Sequence, residues 1–335
     1  MYTWQSKQWQ QITQRVSLPH ALLLRGRAGT GKHDFAIALS QGLLCDAPKP
    51  DKMACGICPS CVWFAEGGHP DFKLISPEDT ENAEDALSNS TKKKTGKKSQ
   101  ISVAQIRQLI DYLNLSSHQV NSRRVVLISP AETLNLASAN ALLKMLEEPP
   151  INTLFLLVTS QPQRLLATII SRCQVIDMLL PSKSESLTWL NTQSINNAEM
   201  TLDLAGGAPL LALQMAEEGE ANLGLIKHLT MGEKLDAFVC APLFNSIGMD
   251  RALDALQKWV FDLLAYKLAQ HLHYHASHSN ALQALCKGVN LSALLSFQYK
   301  LIEAKKTASH PLNNELQLEN ILLQYTQLFK PIKAR

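Results

Sequence analysis

Gly26-Arg27-Ala28-Gly29-Thr30-Gly31-Lys32 follows the apolar run Ala21–Leu24 and opens a helical pattern. These residues fill the first seven positions of G-x-x-x-x-G-K-[ST]. In that loop, backbone N–H groups at a helix N-terminus cradle phosphates and the lysine reaches the outer ones. Gly26, Gly29, Gly31 and Lys32 are therefore the candidate nucleotide contacts. The eighth position, where a hydroxyl would hold Mg²⁺, is His33. A neutral imidazole is a poor ligand for a hard ion that takes oxygen. The strand-like run Val125–Ile128 should end in carboxylates that orient Mg²⁺ and the attacking water. It ends instead in Ser129-Pro130, and the next acid is Glu132. The loop is that of a nucleotide site, but its metal chemistry is missing twice. Binding of ATP is left open, and productive hydrolysis is not expected.

A second constellation is made of sulfur. Cys45, Cys55, Cys58 and Cys61 are spaced C-x9-C-x2-C-x2-C. Two overlapping C-x2-C steps gather three thiolates, and Cys45 closes the set from the preceding helix end. Four thiolates with no open position suit a structural Zn²⁺. The other cysteines, Cys173, Cys240 and Cys286, lie in apolar surroundings and read as buried free thiols. The residues Val62-Trp63-Phe64 just after the cluster suggest packing rather than DNA contact. His69-Pro70-Asp71 matches the J-domain tripeptide, but a strand follows where a helical hairpin is needed. His271, His273, His275 and His278 read as a polar, exposed helix end.

The elements that position these residues follow from periodicity. Ala21–Arg25, Phe72–Ile75, Val125–Ile128, Leu154–Val158 and Gln174–Met178 read as strands. Helical spacing marks Lys32–Leu44, the segment of Ile106, Leu109, Ile110 and Leu113, Ala137–Glu148 (stopped by Pro149-Pro150) and Gln163–Ile170. Near-continuous apolar strands alternating with helices predict a parallel sheet covered on both faces. Beyond Pro181 only helical patterns follow. Residues 78–100, acidic and then lysine-rich, show no apolar period and read as a disordered surface loop.

The chain has 335 residues, with 32 Lys plus Arg against 29 Asp plus Glu, a net charge of +3. That excludes a polybasic protein and disfavours a zinc-stabilised duplex-binding module, so any nucleic-acid contact must be local. No apolar run reaches membrane-helix length, and residues 1–8 lack a signal core, so a cytoplasmic protein is expected.

Asn140-Ala141-Leu142-Leu143-Lys144-Met145-Leu146-Glu147-Glu148-Pro149-Pro150 is similar to the N-A-L-L-K-x-L-E-E-P-P box of the bacterial clamp-loader AAA+ family. Ser171-Arg172-Cys173 matches the family's S-R-C motif. The four cysteines, His69-Pro70-Asp71 and Asn314-Glu315-Leu316-Gln317-Leu318-Glu319 fit as well. Within that family the chain resembles the delta′ subunits of DNA polymerase III rather than the γ/τ motors, which carry G-K-T and a pair of acids where Ser129-Pro130 stands. An active ATPase of γ/τ type is the alternative.

The resemblance implies an α/β AAA+ module with a five-stranded parallel sheet over 1–180, holding the zinc module at 45–61. It further implies a small helical lid over 181–210 and an all-helical collar over 211–335. The partners it implies are γ/τ and δ subunits in a hetero-pentameric ring, and the sliding clamp and primed DNA through that ring. Arg172 would be an arginine finger donated in trans to a neighbour's ATP. Thr159 matches the first sensor position. The lid's sensing arginine has no counterpart in Gly206-Gly207-Ala208-Pro209.

Overall fold

The computed structural model describes residues 1–77, 100–114, 123–195, 197–217, 221–307 and 313–330. Two compact units divide the chain, Met1–Pro181 and Ser182–Arg335.

In the first unit α1 (Ser6–Thr13) precedes β1 (Ala21–Arg25), α2 (Lys32–Leu44), α3 (Pro59–Ala65) and β2 (Phe72–Ile75). Next come α4 (Val103–Asn114), β3 (Arg124–Ile128), α5 (Leu136–Glu147), β4 (Thr153–Thr159), α6 (Ala167–Arg172) and β5 (Gln174–Asp177). The five strands form one parallel sheet in the order β2-β3-β4-β1-β5. The sheet is the five-stranded parallel α/β sheet expected from the sequence.

Two-residue alternation divides the core between the two faces of the sheet. Leu22 and Leu24, Val125 and Leu127, and Leu154 and Leu156 face one side, where Phe35 and Leu39 of α2 and Trp9 and Ile12 of α1 cover them. Leu23, Val126, Ile128, Phe155 and Leu157 face the other side, against α4, α5 and α6. Burial on both faces is why these strands are apolar without a break.

The expected helix over Gln163–Ile170 is divided. A 3-10 turn occupies Pro162–Arg164, and the α-helix begins only at Ala167. Pro162 suits a first turn but not a helix interior. The loop expected over 78–100 lies outside the described residues apart from Gln100.

Among the described residues the second unit contains helices and no strand. Helices α7 (Lys183–Thr192), α8 (Ala198–Leu204) and α9 (Pro209–Glu217) share a small core of Leu190, Ala198, Leu202, Ala205 and Ala212. The first of them starts on a capping box, with Ser182 and Glu185 bonding each other's backbone N–H. Helices α10 (Ala221–Leu229), α11 (Ala237–Ser246), α12 (Met249–Ala269), α13 (Ser279–Gly288), α14 (Leu291–Thr307) and α15 (Asn314–Gln327) enclose a larger core around Phe244, Trp259 and Tyr325. There Trp259 Nε1 donates to Tyr325 Oη at 2.7 Å, which donates to the Leu229 carbonyl at 2.7 Å.

The histidine group does not behave as its polarity suggests. Helix α12 stops at Ala269, so His271, His273, His275 and His278 follow the helix rather than lie on it. His275 is buried, with Nδ1 2.8 Å from Asp262 Oδ2. The same carboxylate accepts the N–H groups of His273, Tyr274 and His275. Burial pushes the Asp262 carboxyl up, but the His275 bond and these donors more than offset that and leave it below its ordinary range. Among the described residues no helix is long and apolar enough to cross a membrane.

Candidate functional site

Strand β1 delivers the phosphate loop to the carboxyl edge of the sheet, where a parallel α/β sheet places its ligands. Gly29 and Gly31 take φ of 76° and 78°, conformations that L side chains rarely adopt. A Cβ on Gly26 would collide with the Met178 carbonyl oxygen, so the first glycine is required by close approach.

Lys32 is 4% exposed. Its Nζ donates to the Arg27 carbonyl at 2.6 Å, and Thr30 Oγ1 donates to the same oxygen at 3.0 Å. Burial lowers the amine to about 8, with Glu132 acting the other way. His33 Nδ1 and Ser129 Oγ share a hydrogen bond of 3.0 Å, so the two positions at which the motif lacks metal ligands face each other. Thr159, at the end of β4, is buried and its Oγ1 accepts the Gln161 N–H at 3.1 Å.

Four side chains contribute to this region from outside the motif. Gln5 is buried, and its Nε2 donates to the carbonyls of Thr30 at 3.0 Å and Gly31 at 2.9 Å. Trp4 Nε1 donates to Thr30 O at 3.2 Å, and the Tyr2 hydroxyl donates to Asp34 Oδ2 at 2.7 Å. Burial first, then Asp34, pushes the Tyr2 hydroxyl up to about 12. The N-terminal segment thus braces the loop through the loop's own carbonyls. Glu132, the next acid after Ser129-Pro130, lies near enough to Lys32 for its charge to act on the amine. Its Oε1 accepts the Ser160 N–H at 3.1 Å, and its Oε2 is buried without a hydrogen-bond partner.

Arg172 ends α6 just before β5, whereas the phosphate loop follows β1. Strands β1 and β5 are parallel, with Leu22 opposite Gln174 and Arg25 opposite Asp177. Arg172 and the loop therefore lie at opposite edges of the sheet, and the structure does not bring them together. The Arg172 guanidinium donates from Nη1 to the Thr168 carbonyl at 3.0 Å, and its Nη2 lies 2.6 Å from Glu147 Oε1. Its side chain is 34% exposed.

The four cysteines converge. Cys45 caps α2, Cys58 caps α3 and Cys61 lies in its first turn. All four Sγ atoms fall within 4.8 Å of one another, with Cys45–Cys58 at 3.8 Å and Cys55–Cys61 at 3.9 Å. A tetrahedral ion about 2.3 Å from each sulfur requires sulfurs about 3.8 Å apart. Backbone N–H groups of Cys55, Cys58 and Cys61 point at the sulfurs of Cys45, Cys55 and Cys58.

The N–H groups of Ile57 and Cys58 pull Cys55 down to about 6, while burial and the neighbouring thiols push Cys61 up to about 12. The residues present fit a four-sulfur metal site.

His69-Pro70-Asp71 ties that cluster to the sheet. His69 Nδ1 accepts the Asp71 N–H at 3.1 Å, which assigns the proton to Nε2. Nε2 then donates to Ser60 Oγ at 2.8 Å, and Ser60 donates to the Leu44 carbonyl at 2.5 Å. Burial lowers the His69 pKa, in keeping with a neutral ring. Of Val62-Trp63-Phe64, Phe64 meets Phe72 at 4.5 Å and Trp63 meets the His69 ring edge-on at 6.3 Å, while Val62 and Trp63 are each 44% exposed. Cys173, Cys240 and Cys286 are buried free thiols.

A family described as DNA polymerase III, delta subunit matches residues 3–181, and one described as DNA polymerase III, delta subunit, C terminal matches residues 221–327. DNA polymerase III subunit delta′ of Pseudomonas aeruginosa PAO1 is 32% identical over 99% of this chain and 99% of its own. The subunit of the same name from Yersinia pestis is 34% identical over 78% of this chain and 75% of its own. Among solved structures, a DNA polymerase III gamma subunit-related protein of Thermotoga maritima superposes with a TM-score of 0.48 at 20% identity, covering 97% of this chain and 100% of that one. With more than half of the sequence matched to the family and the Pseudomonas relative aligned almost end to end, the chain belongs to the DNA polymerase III delta′ subunits.

Proposed function

We propose that this chain acts as a non-hydrolysing delta′ subunit of a clamp loader. In this reading it sits in a hetero-pentameric ring with γ/τ and δ subunits and helps that ring load the sliding clamp onto primed DNA. It donates Arg172 to the ATP bound by a neighbouring γ/τ subunit. The observation that carries the reading is the placement of the phosphate loop and Arg172 at opposite ends of the parallel strands β1 and β5. At the carboxyl edge, the loop lysine is folded onto Arg27 O, and His33 bonds Ser129 where Mg²⁺ ligands would stand. At the opposite edge a partly exposed arginine is splinted by two acceptors. Arg172 cannot reach its own loop, which supports action on another chain's phosphate. Arginine suits that role, being always charged and able to fork onto phosphate oxygens.

Cys45, Cys55, Cys58 and Cys61 hold a structural Zn²⁺ in this reading, because four thiolates leave no position for substrate or water. The ion fixes the segment between α2 and His69, and hence the start of β2.

Glu132 favours a second reading, an ATPase of γ/τ type, since its unpartnered oxygen lies where it could orient a metal or water. Steady-state ATP turnover by the purified chain with Mg²⁺ and primed DNA separates the two. The proposal expects no turnover above background, and no change with Glu132→Gln. Turnover abolished by both Lys32→Ala and Glu132→Gln would favour the second reading.

A further inference from the structure

From the geometry around Arg172 we infer that Glu147 is a positioning residue, one that orients the guanidinium before the neighbour's phosphate arrives. The inference rests on the finger reading of Arg172. Glu147 is the last residue of α5, stopped there by Pro149-Pro150. Met145 and Leu146 are buried in the same core as Ile169 of α6 and Cys173 just beyond it. That shared packing fixes the end of α5 against the end of α6, and it leaves Glu147 on the outer side facing Arg172.

A guanidinium carries five N–H donors in a rigid plane. One on Nη2 serves Glu147 at 2.6 Å and one on Nη1 serves the Thr168 carbonyl at 3.0 Å. Two anchors on different helices fix the plane, and three N–H groups remain for phosphate oxygens. An arginine without such anchors would have to freeze its long side chain on binding, which costs about a three- to tenfold factor for one rotamer-rich side chain. The carboxylate does not cover the finger, because a third of the arginine side chain stays exposed. A partly exposed ion pair contributes little to folding, so Glu147 can be changed without disturbing the subunit.

The test is a double-mutant cycle in the reconstituted clamp loader, following DNA-stimulated ATP hydrolysis with size-exclusion chromatography as the check on assembly. The variants are Glu147→Gln, Glu147→Asp, Arg172→Ala and the double variant Glu147→Gln/Arg172→Ala. The inference expects Glu147→Gln to lower kcat by about three- to tenfold with KM for ATP unchanged. Glu147→Asp, which keeps the charge on a shorter arm, recovers part of that loss. In the Arg172→Ala background Glu147→Gln has no further effect.

An unaltered kcat for Glu147→Gln would overturn the inference while leaving the finger reading intact. So would an equal loss in both backgrounds, which would make Glu147 a residue acting independently of Arg172. An Arg172→Ala complex as active as the native one would overturn the finger reading, and this inference with it.

Discussion

Lys32 keeps the motif's position while its amine is turned onto the loop's own backbone. It stands where the loop lysine should, buried, with its amine on the Arg27 carbonyl, and burial holds that amine near 8 instead of 10.5. A folded-state pKa below the unfolded one means that the unfolded chain binds more protons between about pH 8 and 10.5. The buried charge therefore destabilises the fold fully below that window and is relieved as pH rises through it. The shift corresponds to a penalty on the order of 3 kcal/mol at neutral pH. Lys32→Met removes the charge and one of the two hydrogen bonds to the Arg27 carbonyl, a loss of about 1–2 kcal/mol, while Thr30 Oγ1 still donates to that oxygen. The variant should thus melt higher than the native chain near pH 7, by a margin that shrinks and disappears toward pH 10. Thermal denaturation at several pH values checks it, and a margin that grows with pH would contradict the buried-cation account. Gly26, Gly29, Gly31 and Lys32 were all legible in the sequence because the loop is local and its spacing is fixed. Gln5 and Glu132 were not, since they reach the loop from far along the chain and belong to no motif. His275 was misread for the same reason: its polarity was visible, but its buried partner Asp262, 13 residues earlier, was not.

At the scale of elements, the sheet was readable because burial on both faces makes its three central strands, β1, β3 and β4, apolar runs that resemble little else, while the edge strands β2 and β5 are shorter and partly polar. The boundaries slipped where chemistry outside the period decides them, as at Pro162, whose 3-10 turn occupies the start of the helix expected over Gln163–Ile170 and delays the α-helix to Ala167. The cysteine module is legible in a different way. Ligand spacing gives the set of sulfurs, but not the chain of His69, Ser60 and Leu44 that connects it to β2. If Zn²⁺ holds this module, the purified protein carries one ion per chain, and removing it with a strong chelator frees the end of α2 from α3. The melting temperature should then fall, and Cys58→Ser should reproduce the loss without chelator. Metal analysis and thermal denaturation measure both. A chain that holds no metal when purified without chelators, and whose melting does not respond to chelation, would contradict the site.

On the scale of the whole molecule, a net charge of +3 spread over 335 residues gives no general attraction to nucleic acid. Any contact with nucleic acid therefore has to come from a local group of side chains. The account assigns one edge of the α/β sheet to a braced loop without Mg²⁺ ligands and the other to an arginine meant for a neighbour. In trans such an arginine is worth about 10³–10⁵ in rate at the site it serves. The most direct measurement is DNA-stimulated ATP hydrolysis by the assembled clamp loader carrying either the native chain or Arg172→Ala, with equal subunit content verified for both. The account predicts that the variant complex assembles normally and loses the turnover of the site next to this subunit. An Arg172→Ala complex that hydrolyses ATP at the native rate would contradict it.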